Sequence, residues 1–218
     1  MKLEKMNDFF AARVEGYDEH MRSTIEGASV FYAYTAALLP KAEESRILDL
    51  GCGTGLELEE YFALNPNAKV TGIDLSEAML DALKAKFPEK ELQLVQGSYF
   101  DTSLGEKLYD AAVSVESLHH FSAGMKETLY RKLHTALKDG GFFVLTDYFA
   151  ESEEQEKEFF RNLEALKKEQ GIPDGEFYHY DTPLFIGHET DALRRAGFRD
   201  VRIMKKWSEN TCTILSAK

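Results

Sequence analysis

Three alternating glycines follow a short apolar run that ends on an acid, in the stretch Ile47-Leu48-Asp49-Leu50-Gly51-Cys52-Gly53-Thr54-Gly55. Glycine tolerates positive φ and lets a ligand approach the backbone, so glycines at a strand end predict a ligand-binding turn. Apolar residues recur at helical spacing from Leu56 to Leu64, which places the turn before a helix. The spacing differs from the G-x-G-x-x-G of dinucleotide sites, and the carboxylate of Asp49 disfavours a phosphate. The stretch therefore predicts a turn for a cationic ligand.

A second acid, Asp74, ends the next apolar run, at about the distance where such folds place a carboxylate for ribose hydroxyls. With ILDLGCGTG followed by VTGIDLSEAML, the chain resembles the class I S-adenosylmethionine (SAM)-dependent methyltransferases over about residues 45 to 150. The resemblance implies SAM as cofactor and S-adenosylhomocysteine as product. It implies cofactor contacts from Tyr17, Asp49, Gly51, Cys52, Gly53, Asp74, Leu75, Met79, Gly97, Ser98, Tyr99, Val115 and Glu116.

Three of these positions, Ser98, Tyr99 and Tyr17, carry a further expectation each. In the resembled family an acid after the third strand usually binds the adenine, whereas this chain has Ser98 there, followed by Tyr99, whose ring is suited to stacking. In many members, the stretch resembling Gly16 to Met21 closes over the methionine end of SAM, and this implies a lid residue at Tyr17.

The candidates for chemistry follow the fourth predicted strand, 109–115, in Glu116-Ser117-Leu118-His119-His120-Phe121. If the methyl acceptor must lose a proton, the base is expected to be Glu116, His119 or His120, with His120 slightly preferred over His119. On the substrate side we expect contacts from His179, Tyr180 and Tyr148, because insertions after the fifth strand commonly carry specificity.

The pattern of apolar runs and turns predicts an α/β fold with a doubly wound, seven-stranded, mostly parallel sheet and an antiparallel last strand. N-terminal helices and a helical insertion after strand 5 complete it. One domain, 1–218, is expected, with an N-terminal helical lid (1–40), a SAM-binding core (41–148), a substrate-side insertion (149–187) and a C-terminal helix and strand hairpin (188–218). A helix beginning at Ser122 is predicted to end at Gly140-Gly141, and a last helix to cover 189–196.

The charge and the cysteine content limit the classes of partner and site that we expect. The net charge of −12 over 218 residues offers no basic footprint for nucleic acid or an anionic membrane surface, so a small-molecule acceptor is favoured. Cys52 and Cys212 have neither metal-ligand spacing nor the density of a disulfide scaffold, so we expect no metal and a cytoplasmic location. The N-terminus lacks the apolar segment of a signal peptide. The oligomeric state is left open.

Three functions compete. The leading hypothesis is transfer of the SAM methyl group to a small molecule. A second is a carboxy-SAM synthase-like enzyme related to tRNA modification, which would need an arginine facing a carboxylate, with Arg13 and Arg199 as candidates. A third is a SAM-binding module without catalysis. A nicotinamide dehydrogenase is disfavoured by the glycine spacing.

Overall fold

A seven-stranded sheet in the order β3-β2-β1-β4-β5-β7-β6 forms the centre of the computed structural model, within the described residues 1–173 and 175–218. All neighbouring strands pair in parallel except β7, which runs antiparallel to both β5 and β6. This confirms the predicted fold class. The strands are β1 (Arg46–Leu50), β2 (Lys69–Asp74), β3 (Leu92–Gln96), β4 (Tyr109–Val115), β5 (Leu137–Tyr148), β6 (Asp200–Lys206) and β7 (Thr211–Ala217).

Helices cover both faces of the sheet, with α3 packed on α4 on one side and α6 packed on α8 on the other. Within the described residues, no helix has the length and apolar character needed to cross a membrane. The helices are α1 (Met6–Ala11), α2 (Tyr17–Thr24), α3 (Ala28–Leu38), α4 (Leu56–Leu64), α5 (Glu77–Lys86), α6 (Ala123–Ala136), α7 (Glu153–Gln170) and α8 (Ile186–Arg195).

The central strands are apolar on both faces because each face is covered by helices. In β5, Phe143 and Leu145 belong to the core on the α6 and α8 side, while Val144 between them belongs to the core on the α3 and α4 side. In β1, Ile47 and Leu48 divide in the same way. Successive side chains of a strand point to opposite faces, so a near-continuous apolar run supplies both cores.

The predicted end of helix α6 is wrong. The helix ends at Ala136, and Leu137 already pairs with Tyr109 as the first residue of β5. Gly140 has a φ of +79°, and a Cβ on Gly141 would lie 2.9 Å from the carbonyl oxygen of Lys138. The two glycines therefore do not cap the helix. They lie at the start of β5, where the register of its pairing with β4 shifts. The last helix also begins earlier than predicted, at Ile186.

The N-terminal segment and the loop after α7 are joined through their backbones. The amide of Met6 donates to the carbonyl of Phe177 at 2.9 Å, and the amide of His179 donates to the carbonyl of Glu4 at 3.0 Å. The two segments that were predicted to lie on the ligand side therefore form one continuous cover over the carboxyl edge of the sheet.

A buried ion pair joins helices α6 and α8. Lys126 Nζ lies 2.5 Å from Glu189 Oε2, and the Tyr130 hydroxyl donates to the other carboxylate oxygen of Glu189. The side chains of Lys126 and Glu189 are 1% and 0% exposed, so removing one partner would leave the other charge buried without compensation.

We therefore expect Glu189→Leu to lower the free energy of unfolding by roughly 3–5 kcal/mol in urea denaturation. The combined variant Lys126→Met, Tyr130→Phe, Glu189→Leu should recover most of this loss, because apolar residues replace the whole network. Arg195→Ala is the control, since it removes a solvent-exposed pair with Glu127 between the same two helices and should cost about 1 kcal/mol or less. A loss under about 1 kcal/mol for Glu189→Leu would contradict this account.

Candidate functional site

A cavity opens at the carboxyl ends of β1, β2 and β4. β1 and β4 are neighbours in the sheet, and the strand order runs outward from them in opposite directions, to β2 and β3 on one side and to β5 on the other. In doubly wound sheets this switch point is where ligands bind. We call it the glycine-turn cavity. It is lined by Met6, Phe10, Tyr17, Gly51, Gly53, Asp74, Leu75, Met79, Tyr99, Val115, Glu116, Ser117 and His120.

The glycine turn follows β1 directly and has left-handed backbone angles. Gly51, Gly53 and Gly55 have φ values of +73°, +46° and +74°. A Cβ on Gly51 would lie 1.9 Å from the hydroxyl oxygen of Ser117, whereas a Cβ on Gly53 would meet nothing within 4 Å. Gly51 is therefore required for packing against the end of β4, and Gly53 leaves its backbone open to the cavity.

Asp74 is fixed by two backbone amides at the edge of the cavity. Its Oδ2 accepts a hydrogen bond from Gly53 N at 2.9 Å, and its Oδ1 accepts one from Ser76 N at 2.8 Å. Burial raises the pKa of this carboxyl above its usual value, and the backbone hydrogen bonds oppose the rise. A carboxylate has about four acceptor sites, so Asp74 retains capacity for ligand hydroxyls.

Four predicted cofactor contacts are not among the described residues that line this cavity: Asp49, Cys52, Gly97 and Ser98. Asp49 is completely buried, and burial together with Glu57 raises its pKa well above the usual range. Both carboxyl oxygens of Asp49 are buried without a hydrogen-bond partner among the described residues, so its contact with a ligand stays a prediction. Ser98 uses its hydroxyl within its own loop, where it accepts a hydrogen bond from Phe100 N at 3.1 Å.

A second, larger cavity of about 730 Å³ adjoins the first. We call it the histidine cavity. It shares Phe10, Tyr17, Glu116 and His120 with the glycine-turn cavity. Its remaining walls are Phe9, Ala12, Arg13, Glu15, Gly16, His20, Met21, Ile25, His119, Tyr148, His179, Asp181 and Thr211.

Glu116 lies at the junction of the two cavities in an unusual backbone conformation. It is a non-glycine residue with a φ of +48°, and its Oε1 is buried without a hydrogen-bond partner among the described residues. Burial and the nearby Asp147 raise the pKa of its carboxyl to about 8. Strained residues and unpartnered buried groups of this kind are commonly found at functional sites.

The two adjacent histidines have opposite electrostatic surroundings. Burial lowers the pKa of His119, but Asp147, whose Oδ1 lies 2.6 Å from His119 Nδ1, outweighs it and raises that pKa to about 9. Burial and the neighbouring rings of His119 and His179 lower the pKa of His120 well below its usual value. His120 Nδ1 lies 3.2 Å from the carbonyl oxygen of Tyr180, so this nitrogen carries the proton that the carbonyl accepts.

The structure brings most of the predicted substrate-side residues together. Tyr148 and His179 line the histidine cavity, and the ring of His179 stacks on Phe9 with centroids 3.5 Å apart. Tyr180 is not among the described lining residues and contributes its carbonyl to His120. Sequence reasoning missed Asp181, which lies beside both histidines but is about sixty positions away from them in the chain, with no motif around it.

Comparisons with known proteins agree with this geometry. A family model described as a methyltransferase domain matches residues 47–141. The uncharacterized methyltransferase YdaC of Bacillus subtilis is 30% identical over 131 residues, which cover 59% of this chain and 71% of that protein. The chain belongs to the class I SAM-dependent methyltransferases.

Other similarities extend over more of the chain. The carboxy-S-adenosyl-L-methionine synthase of Nautilia profundicola is 25% identical over 189 residues, which cover 81% of this chain and 79% of that protein. Human N-acetylserotonin methyltransferase, solved in complex with SAM, has the same fold with a TM-score of 0.65 and 21% identity. That alignment covers 97% of this chain, which spans 56% of the length of the human protein's solved chain.

The glycine-turn cavity of this methyltransferase has the features that SAM requires. The backbone of Gly53 is open to the cavity, and Asp74 is held with acceptor capacity to spare. Tyr99 lines the cavity and is anchored by its hydroxyl, which lies 3.3 Å from the carbonyl oxygen of Ser117. Sequence reasoning missed Met6, Phe10 and Ser117, since these residues lie outside the motifs that carry the resemblance.

We expect Asp74→Ala to weaken SAM binding at least about tenfold, because a charged hydrogen bond contributes on the order of 1.5–3 kcal/mol. Isothermal titration calorimetry with SAM and with S-adenosylhomocysteine measures the effect. Asp81→Ala is the control, since it removes an exposed acid from the adjoining helix α5. Asp74→Asn keeps an oxygen for one backbone amide, so equal affinity of Asp74→Asn and the parent would show that Asp74 acts only on the turn.

Proposed function

We propose that this methyltransferase transfers the methyl group of SAM to a small-molecule acceptor bound in the histidine cavity. The observation that carries the proposal is that the two cavities meet at Glu116, His120, Tyr17 and Phe10. A cofactor in the first cavity and an acceptor in the second would approach each other at this junction. When bound, SAM supplies a methyl group attached to a sulfonium sulfur, and this sulfur leaves as a neutral thioether when a nucleophile takes the methyl group.

The size and lining of the histidine cavity support a small acceptor. Its volume of about 730 Å³ lies within the range of 300–1,000 Å³ that is typical of small-molecule sites. Aromatic rings of Phe9, Phe10, Tyr17 and Tyr148 line it together with a few charged groups. The cover formed by α1, α2 and the loop around His179 would exclude water and hold the acceptor in place.

We propose the carboxylate form of Glu116 as proton acceptor when the nucleophile carries a proton; because its pKa is raised to about 8, this form increases as the pH rises toward and above 8. Its Oε1 has no partner among the described residues, and Glu116 is one of the residues that line both cavities. His119 is engaged through Nδ1 with Asp147, and His120 through Nδ1 with Tyr180. We therefore rank Glu116 ahead of His120 and His119 for this role.

A second candidate function is that of a carboxy-SAM synthase-like enzyme, which the similarity over 79% of the Nautilia protein favours. The arginine candidates offer it less support. Arg13 lines the histidine cavity but is paired with Glu4 at 3.1 Å, and Arg199 lies beside the end of β7, where its amide donates to Ala217. A carboxylated cofactor in native mass spectra of the purified protein would favour this function over methyl transfer.

The proposal is tested with SAM labelled in its methyl group and a metabolite extract, followed by mass spectrometry of labelled products. We expect a labelled small molecule and an equal amount of S-adenosylhomocysteine. Binding of SAM without any S-adenosylhomocysteine, in extracts from its own source, would instead support a binding module.

With the acceptor identified, Glu116→Gln should lower turnover by roughly 10²-fold or more, because the amide cannot take up the proton. SAM affinity should change only a few-fold, since the substitution keeps the shape of the side chain. Glu15→Gln is the matched control, because Glu15 also lines the histidine cavity but does not line the glycine-turn cavity. Turnover of Glu116→Gln within a few-fold of the parent would remove Glu116 as the base.

A further inference from the structure

We propose that His119, His120 and Asp181 bind a divalent transition-metal ion of the zinc type at the wall of the histidine cavity. Each residue offers one ligand atom, and these three atoms lie within 4.8 Å of one another. His119 Nε2 and His120 Nδ1 are nitrogens that lie within 3.6 Å of Asp181 Oδ1. The two cysteines lack metal-ligand spacing and no metal is expected from the sequence, so this inference rests on the fold alone.

The distances suit a tetrahedral ion. Asp181 Oδ1 lies 3.3 Å from His120 Nδ1 and 3.6 Å from His119 Nε2. Ligand atoms at about 2.0–2.1 Å from a tetrahedral zinc ion stand about 3.3 Å apart. The three side chains therefore need only small shifts to share one ion.

The surroundings of the two histidines favour this use. Asp147 Oδ1, 2.6 Å from His119 Nδ1, fixes the ring so that Nε2 faces the cavity, and a carboxylate behind a metal-binding histidine commonly orients it in this way. The amide of Thr182 donates to the carbonyl of His119 at 2.8 Å, which holds the neighbouring Asp181 in place. When the ion binds, His119 Nε2 and His120 Nδ1 must each release a proton to solvent, and His120 must give up its bond to Tyr180.

The charges around the cluster attract a cation. The carboxylates of Asp147 and Asp181 lie within 3.6 Å of imidazole nitrogens of the two histidines. The guanidinium of Arg13, which lines the same cavity, is paired with Glu4 and does not neutralise them. Two imidazoles and one carboxylate form a ligand set common to catalytic zinc, which keeps its fourth position open.

The fourth position would face the histidine cavity, since all three ligand residues line it. The acceptor would then be a molecule whose oxygen, nitrogen or sulfur atom can coordinate the ion while it faces the junction at Glu116. This assignment of the acceptor class rests on the proposed methyl transfer, whereas the metal site itself does not.

The test of the site is equilibrium dialysis of the chelator-treated full chain against Zn²⁺, with elemental analysis, and visible spectroscopy with Co²⁺. We expect one ion per chain, and at least about tenfold weaker binding in Asp181→Asn and His119→Asn. Asp181 is half-exposed, so its variant should fold normally. The controls are Asp191→Asn and His134→Asn, which remove an exposed acid of α8 and a histidine packed on Phe198.

Two outcomes would overturn the metal site: no ion bound at millimolar Zn²⁺, or binding that Asp181→Asn leaves unchanged. SAM calorimetry on the same samples separates this failure from failure of the proposed function, because SAM binding does not require the ion. For the acceptor class, loss of transfer on chelation and recovery with Zn²⁺ is the expected result. Full transfer by chelated protein would show that the acceptor does not coordinate an ion.

Discussion

The close approach of the glycine turn to the end of β4 is the constraint on which the rest of the site depends. Position 51 must be glycine, because a Cβ there would lie 1.9 Å from the Ser117 hydroxyl. This contact places the turn so that Gly53 N reaches Asp74, and Ser117 in turn anchors the hydroxyl of Tyr99. The ends of β1, β2 and β4 and the loop after β3 are thereby held around one cavity by short-range contacts.

The second cavity depends on a different set of interactions, made by the segments outside the sheet. Helix α2 is attached to the glycine turn through Asp18, which accepts hydrogen bonds from Thr54 and Lys86, each at 2.5 Å. The chain before α1 is attached to the loop at Phe177 through backbone bonds. The wall of the histidine cavity therefore spans residues far apart in the chain, and any movement of this wall changes both cavities together.

Asp147 and Glu116, two acids at the carboxyl edge, differ in whether their carboxyl groups have hydrogen-bond partners. Asp147 is completely buried, but it accepts hydrogen bonds from the amides of Leu118 and Tyr148 and interacts with His119, so it orders the loop after β4. Glu116 lies nearby and has an unpartnered oxygen. The contrast follows from position, because Asp147 lies inside β5 one residue before its end, whereas Glu116 follows β4 with a left-handed backbone angle.

The sequence by itself determined the sheet, the glycine turn and the acid at Asp74, because these features depend on local periodicity, on glycine's freedom at positive φ, and on short spacing along the chain. It failed at Gly140-Gly141, because glycine is favoured both at a strand irregularity and at a helix cap. Only the tertiary structure decided that Asp181 lies beside His119 and His120, since the backbone bond from Thr182 to His119 joins positions 63 residues apart. No local pattern encodes a contact of that kind, because it arises from the packing of two loops.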